Sequence, residues 1–234
     1  MCIRDRLLNM VLSYKRRNKI AKKIGVFHQD YEAQYQTTTD FVSRMFENNL
    51  RDIEPYWVCL PMGSRCAVSN YQMYWYPWDP DKEELWVRPM PKMPYIINMD
   101  NNPFDFYRYK MVQEDLYAEF GEWYSRQKKG KTICLLGIRA DESLNRYRAY
   151  ANDRKTIMQG NQWTTKMGEN WWNAYPIYDW TTKDVWIANG KFDYDYNRIY
   201  DLFWKAGLSI SQMRVASPYH ESAKESLNLY RVLE

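Results

Sequence analysis

"KTICLLGIRADESLNRYR", residues 131–148, passes from an apolar run to a glycine and then at once to Arg139, Ser143, Arg146 and Arg148. A run of this length, apolar and stopped by glycine, reads as a buried strand over 131–138. If that strand ends at Gly137 or Ile138, whatever follows lies at the carboxyl edge of a sheet, where open α/β folds take their ligands. Asp141 is placed to cap a helix over "ESLNRYRAYAN" (142–152), which brings free backbone N–H groups to the same turn. Ser143 and Arg146, three apart, share a helix face, and Arg139 reaches the spot from the strand end. Two forked guanidinium groups beside a hydroxyl match the oxygens of a phosphate or sulfate. The spacing also admits a plainer arrangement: Glu142 and Arg146, at i and i+4, can pair on a solvated helix surface, and Arg148 can pair with a neighbouring loop.

Strands and helices alternate on both sides of this stretch. Upstream, "LLNMVLSYKRRN" (7–18) predicts a helix with Leu7, Leu8, Val11 and Leu12 on one face, followed by a strand in "KIGVFHQD" (23–30). "TTTDFVSRMFENN" (37–49) predicts a helix with a threonine N-cap and Phe41, Val42 and Met45 facing inward, and "PYWVCLPM" (55–62) a second strand. Downstream, "AYPIYDW" (174–180) reads as a short strand, and Thr181 and Asp184 as a capping box opening a helix over 181–189. "NRIYDLFWKAG" (197–207) is a helix closed by Gly207, and "SPYHESAKESLNLYRVL" (217–233) a helix with Ser217 at its N-cap and Pro218 first. The alternation predicts an α/β fold, Rossmann-like, wound around a parallel sheet. Residues 63–130, with a polar helix around 109–128, and residues 152–173 interrupt the order and read as insertions at one end of the sheet.

With 234 residues, 45% of them hydrophobic, the chain can bury a sizeable core as one large domain or one with a substantial insertion. A net charge of +4 is too small for the field of a dedicated nucleic-acid binder and leaves room for a local anion site. The 21 Tyr and 11 Trp gather in polar surroundings such as "YQMYWYPWDP" (71–80) and "ENWWNAYPIYDW" (169–180), where rings either stack on bases or fill a thin core. Cys2, Cys59, Cys66 and Cys134 form no CxxC pair, which points to a reducing, cytoplasmic compartment. No apolar run approaches the roughly 18 residues of a membrane helix, so no membrane association is expected.

Four segments, in order, resemble the phosphoadenosine phosphosulfate (PAPS) reductase family. "GIRADESLNRYR" (137–148) is similar to its Gly-Ile/Leu-Arg-x-x-Glu-Ser-x-x-Arg element, and "YPIYDWTTKDVW" (175–186) to its Pro-Ile/Leu-x-Asp-Trp-x-x-x-Asp-Val-Trp element. "IYDLFWKAGLSISQMR" (199–214) resembles a later segment, and "FHQDYEAQYQTTTDFV" (27–42) the second strand with its Thr-containing helix. The nearest subgroup is the predicted PAPS sulfotransferase or sulfurtransferase-like proteins. The resemblance covers nearly the whole chain from about residue 7 and implies an adenine nucleotide alpha hydrolase-like fold over 7–234. It implies an adenine nucleotide, PAPS or ATP, with or without Mg, as the ligand. Arg139 and Arg146 would be catalytic by neutralising developing negative charge, and Gly137, Glu142, Ser143, Asp179 and Arg214 would contact the substrate. Asp30 and Thr38 fall where the family holds the nucleotide, and Asp179 with Trp180 either touches substrate or locks its loop.

The family's Ser-Gly-Gly-x-Asp-Ser nucleotide loop has no counterpart in the sequence. "MCIRDR" (1–6) stands in its place, so these six residues are expected to be non-native, with the first strand and the loop upstream of the domain. The chain as it stands is accordingly expected to bind anions weakly and to turn over little. The family's Glu-Cys-Gly nucleophile is also missing from "QMRVASPYHESAKESL" (212–227). Cys59 and Cys66, seven apart, are either structural or a redox or sulfur relay, and no zinc pattern joins them to His28 or His220; His28, at a strand end, is either structural or a base. Two functions follow as expectations. One is an enzyme acting on a phosphosulfate or related activated nucleotide. The other is a non-catalytic regulatory or DNA-associated protein working with a ParB-like partner.

Overall fold

The computed structural model describes residues 3–210, 212–224 and 226–233; Met1 and Cys2 of the opening hexamer lie outside them. In chain order the elements are α1 (Ile3–Arg17), β1 (Ile24–Gln29), α2 (Gln36–Glu47), β2 (Ile53–Val58), β3 (Ser64–Arg65), β4 (Tyr74–Trp75), β5 (Ile96–Ile97), α3 (Gln113–Lys128), β6 (Thr132–Leu135), α4 (Leu144–Ala151), β7 (Thr164–Lys166), β8 (Trp171–Ala174), α5 (Thr182–Phe192), α6 (Ile199–Lys205) and α7 (Leu227–Leu233). The chain is mixed α/β and forms two compact units. One comprises Ala21–Leu116 and Asn197–Glu234, the other Cys2–Ile20 and Tyr117–Tyr196. No helix among the described residues is long and apolar enough to cross a membrane.

The first unit is built on a three-stranded parallel sheet in the order β1-β2-β5. β1 and β2 pair from Ile24 with Ile53 to Gln29 with Val58, and β5 joins through Trp57 with Ile96. The third strand thus comes from the 63–130 stretch. Phe41, Met45 and Phe46 of α2 are buried with Ile53, Trp57 and Val58, because apolar positions at helical spacing form one stripe. The expected threonine cap of α2 does not form. Tyr35 occupies the N-cap without a side-chain bond and is itself fully buried. Gly207 closes α6 at φ 84°, a left-handed conformation that glycine takes without strain. The helix expected over 217–233 is shorter. Ser217 Oγ takes the Tyr219 N–H and His220 Nδ1 takes the Ser222 N–H, local bonds that compete with a helical ladder, and α7 starts only at Leu227.

The second unit holds a sheet in the order β6-β8-β7, with β8 parallel to β6 and antiparallel to β7. The strand expected at 174–180 lies at Trp171–Ala174, and the residues after it fold as turns because Pro176 has no N–H to give a ladder. Gly121 lets α3 lie on β8: a Cβ there would meet the Trp171 ring at 2.7 Å. The Thr181–Asp184 capping box opens α5, with Thr181 N–H donating to Asp184 Oδ2 at 2.8 Å and Asp184 N–H to Thr181 Oγ1 at 3.3 Å. Leu7 and Leu12 are buried in α1, whose Ser13 Oγ lies 3.2 Å from Tyr194 Oη beyond α5.

Candidate functional site

β6 stops at Leu135, a little short of Gly137, and the Ile138 N–H turns back to the Leu136 carbonyl. That turn aims Arg139 inward, where it is 5% exposed. Its Nη1 lies 2.7 Å from Asp141 Oδ1 and 2.9 Å from Oδ2, and donates to the Trp180 carbonyl at 3.3 Å. Nη2 donates to Thr182 Oγ1 at 2.9 Å and to Glu142 Oε1 at 3.4 Å, while the buried Nε has no partner. The Ala140 N–H donates to the Tyr178 carbonyl at 2.8 Å, and Tyr178 stacks on Tyr150 at 4.0 Å. Residues 139–146 and 178–182 are thereby drawn into one knot around a buried guanidinium.

Asp141 is not the cap of α4. Asp141 is drawn to Arg139 and sits in a short 3₁₀ turn, Ala140–Glu142, so it cannot cap the helix. Ser143 caps instead: its Oγ accepts the Arg146 N–H at 3.3 Å, leaving its own O–H to donate. Glu142 bridges both arginines, with Oε1 toward Arg139 and Oε2 paired with the half-exposed Arg146. Arg148 and Asp179 are exposed, and Gly137 lies in the irregular link after β6. Arg139, Glu142, Ser143 and Arg146 therefore come together as the sequence suggests, but with the guanidinium donors of Arg139 facing carboxylates of the same chain.

The other residues lie in the first unit, beyond the ends of β1 and β2. Asp30 is fully buried, its Oδ1 accepting from the Glu32 N–H at 2.8 Å and Arg88 Nη2 at 2.5 Å, and its Oδ2 from Trp57 Nε1 at 2.9 Å. Glu32 accepts the N–H groups of Trp78 at 2.7 Å and Val87 at 2.9 Å, and Arg88 Nε donates to the Glu32 carbonyl at 2.9 Å. Trp78 Nε1 closes the network on the Asp30 carbonyl at 3.1 Å, with the Arg88 guanidinium 5.0 Å above its ring. Residues 78–88 thus form a strap fastened across Asp30. Glu32 and Trp78 hold φ 61° and 55°, a conformation that side-chain-bearing residues keep only where the surroundings fix it. Burial lifts the Glu32 carboxyl above its ordinary range, opposed by the two N–H donors and the Arg88 charge.

Asp30 is covered by the strap, its carboxylate without solvent contact and taken up by three donors of the same chain. Thr38 Oγ1 accepts from Asn197 Nδ2 at 2.8 Å. Arg214 is exposed in the same unit. Burial, helped by the Asp30 charge, holds the Cys59 thiol well above its ordinary value, which opposes a nucleophilic or relay role. Cys66 is a free, part-buried thiol. His28 lies edge-on to Trp57 at 4.9 Å. Among the described residues no group of three or more His, Cys, Asp or Glu could hold a metal ion. A groove of about 640 Å³ opens beside the strap between Trp86, Arg88, Met90, Met93 and Ile96, and none of its lining residues belongs to the arginine knot.

Sequence reasoning passed over Glu32, Trp78, Arg88 and Thr182. The bond to Glu32 carried a signal in the residue type of Asp30, since an Asp side chain takes the N–H two residues on in an Asx turn. Arg88, inside "RPMPKMP", carried none.

Comparison with known proteins gives two matches. Residues 207–234 match a domain of unknown function, DUF3440. Over 234 residues the chain is 35% identical to the uncharacterized protein YbdN of Escherichia coli (strain K12), with 99% of this chain and 56% of that protein aligned. The chain thus spans about half the length of the curated relative it matches. No solved structure matches the chain.

Proposed function

We propose that the chain is an adenine-nucleotide-binding, PAPS reductase-like or sulfurtransferase-like enzyme with the adenine nucleotide alpha hydrolase-like fold, acting on a phosphosulfate or a related activated nucleotide. One observation carries the reading. The two segments that resemble the family's elements, 137–148 and 175–186, meet at Arg139, which bonds the Trp180 carbonyl and Thr182 Oγ1. The nucleotide would supply the activated bond. Arg139 and Arg146 would hold the charged group on it, and the Ser143 hydroxyl would donate to one oxygen. The buried, partnerless Arg139 Nε fits a donor awaiting an acceptor.

Calorimetry on the chain with PAPS, ATP and unphosphorylated adenosine tests this. Arg146→Ala removes a charge-assisted bond of about 1.5–3 kcal/mol and should weaken PAPS binding about tenfold to a hundredfold, leaving adenosine unchanged. Equal affinity of variant and parent for PAPS, or no adenine nucleotide binding at all, overturns the reading. The internal engagement of Arg139 by Asp141 and Glu142 favours a second reading, a non-catalytic protein that keeps the fold for a ParB-like partner or nucleic acid. Turnover of PAPS or ATP by the chain extended upstream with the family's Ser-Gly-Gly-x-Asp-Ser loop separates the two, since the second reading expects salt-sensitive binding of DNA or partner without turnover.

A further inference from the structure

Glu142 is not an ordinary surface partner of Arg146. It closes the 3₁₀ turn Ala140–Glu142, one residue before the Ser143 cap, and its side chain is 13% exposed. Each of its oxygens addresses a different guanidinium, Oε1 that of Arg139 and Oε2 that of Arg146. One of those guanidinium groups is nearly sealed, with its side chain 6% exposed, and the other is 43% exposed. A carboxylate bridging two arginines beside a serine hydroxyl has the charge and the paired oxygens of a tetrahedral oxyanion. The four charges of Arg139, Arg146, Asp141 and Glu142 sum to zero, so an incoming anion gains no net attraction while Glu142 stays.

We propose that Glu142 is an internal stand-in for the ligand's anion, occupying the place between Arg139 and Arg146 that a phosphate or sulfate group takes, so that binding is an exchange of one anion for another. The proposal rests on the reading of the arginine knot given above and adds its regulation. Asp141, Thr182 and the Trp180 carbonyl keep Arg139 in place when Glu142 leaves, since each holds a separate donor position on its two Nη atoms. Glu142 can swing outward because Arg146, its second partner, is the half-exposed member. Ligands able to displace it must carry a full charge and at least two oxygens, which selects phosphoryl and sulfonyl groups over neutral acceptors.

The test uses inorganic sulfate and inorganic phosphate on the whole chain at constant ionic strength. Glu142→Gln keeps the shape and removes the charge, and should tighten sulfate binding by about tenfold or more, because a like charge at contact distance is gone. Adding Arg146→Ala to that variant should abolish the gain. Unchanged or weaker sulfate binding by a folded Glu142→Gln chain overturns the proposal, because Glu142 then only positions the arginines. If the variant does not fold, the parent decides: millimolar sulfate, but not chloride, should move the side-chain NMR signals of Arg139 and Arg146 together, and unmoved signals overturn it. Sulfate exchange without adenosine-dependent binding would sink the nucleotide reading and leave the exchange standing. Arg146-dependent PAPS binding without a gain from Glu142→Gln would do the reverse.

Discussion

The strand ends of the two units carry similar groups and treat them differently. Beyond β1, the carboxylates of Asp30 and Glu32 face Arg88 and four indole or backbone donors, with the Asp30 side chain fully buried and that of Arg88 13% exposed. Beyond β6, two carboxylates face two arginines, but Arg146 and Asp141 reach water. A buried, saturated pair is fixed, because removing either member strands a charge in low dielectric. A half-open cluster can trade partners, because water covers the intermediate state. The first cluster therefore reads as fold and the second as site.

The largest effect that would sharpen this contrast comes from Asp30→Ala. It leaves Arg88 without its buried partner and orphans Trp57 Nε1 and the Glu32 N–H, so about 3–5 kcal/mol of the first unit's stability should be lost. Chemical denaturation followed by tryptophan fluorescence reads it. A loss below about 1 kcal/mol would mean that the strap is as exchangeable as the arginine knot, and the contrast would break. A smaller effect is expected at the knot from Ser143→Ala. Losing an N-cap costs about 1 kcal/mol, and Ser143→Asn should restore it, because the amide oxygen also accepts the Arg146 N–H. Failure of the asparagine variant to rescue stability would show that the hydroxyl serves something other than the cap.

What was legible in the sequence follows the same division. Periodicity located α1, α2, β1, β2 and the α5 capping box because those signals depend on neighbours along the chain. The group around Arg139, Glu142, Ser143 and Arg146 was legible because all four lie within residues 139–146 of the sequence. Its charge state was not, since the pull of Asp141 onto Arg139, and so the transfer of the cap to Ser143, depends on how the strand ends. The strap was invisible because Asp30 and Arg88 lie 58 residues apart and no local pattern in 63–130 marks the arginine. β5, only two residues long, had no period to show.

The smallest effect is a slope. Glu32 has an ordinary value of 4.5, and burial raises it in the folded chain, with the negative charge of Asp30 adding to the rise and Arg88, Val87 N–H and Trp78 N–H resisting it. A raised folded value means that the native state holds a proton the unfolded chain has released, so Glu32's contribution to stability is complete below 4.5 and declines as pH rises through the folded value. This runs opposite to an exposed carboxylate such as Asp184, whose bonds from Thr181 hold it below its ordinary 3.8 and whose contribution is lost only as pH falls. Glu32→Gln removes the titration. It also turns an amide N–H toward one of the two backbone donors, so the variant should be less stable throughout, and the readout is the slope rather than the level. Urea midpoints measured from pH 4.5 to 7 should decline more steeply for the parent than for Glu32→Gln. Parallel slopes would mean that water reaches Glu32, that the strap opens in solution, and that the two strand ends are alike after all.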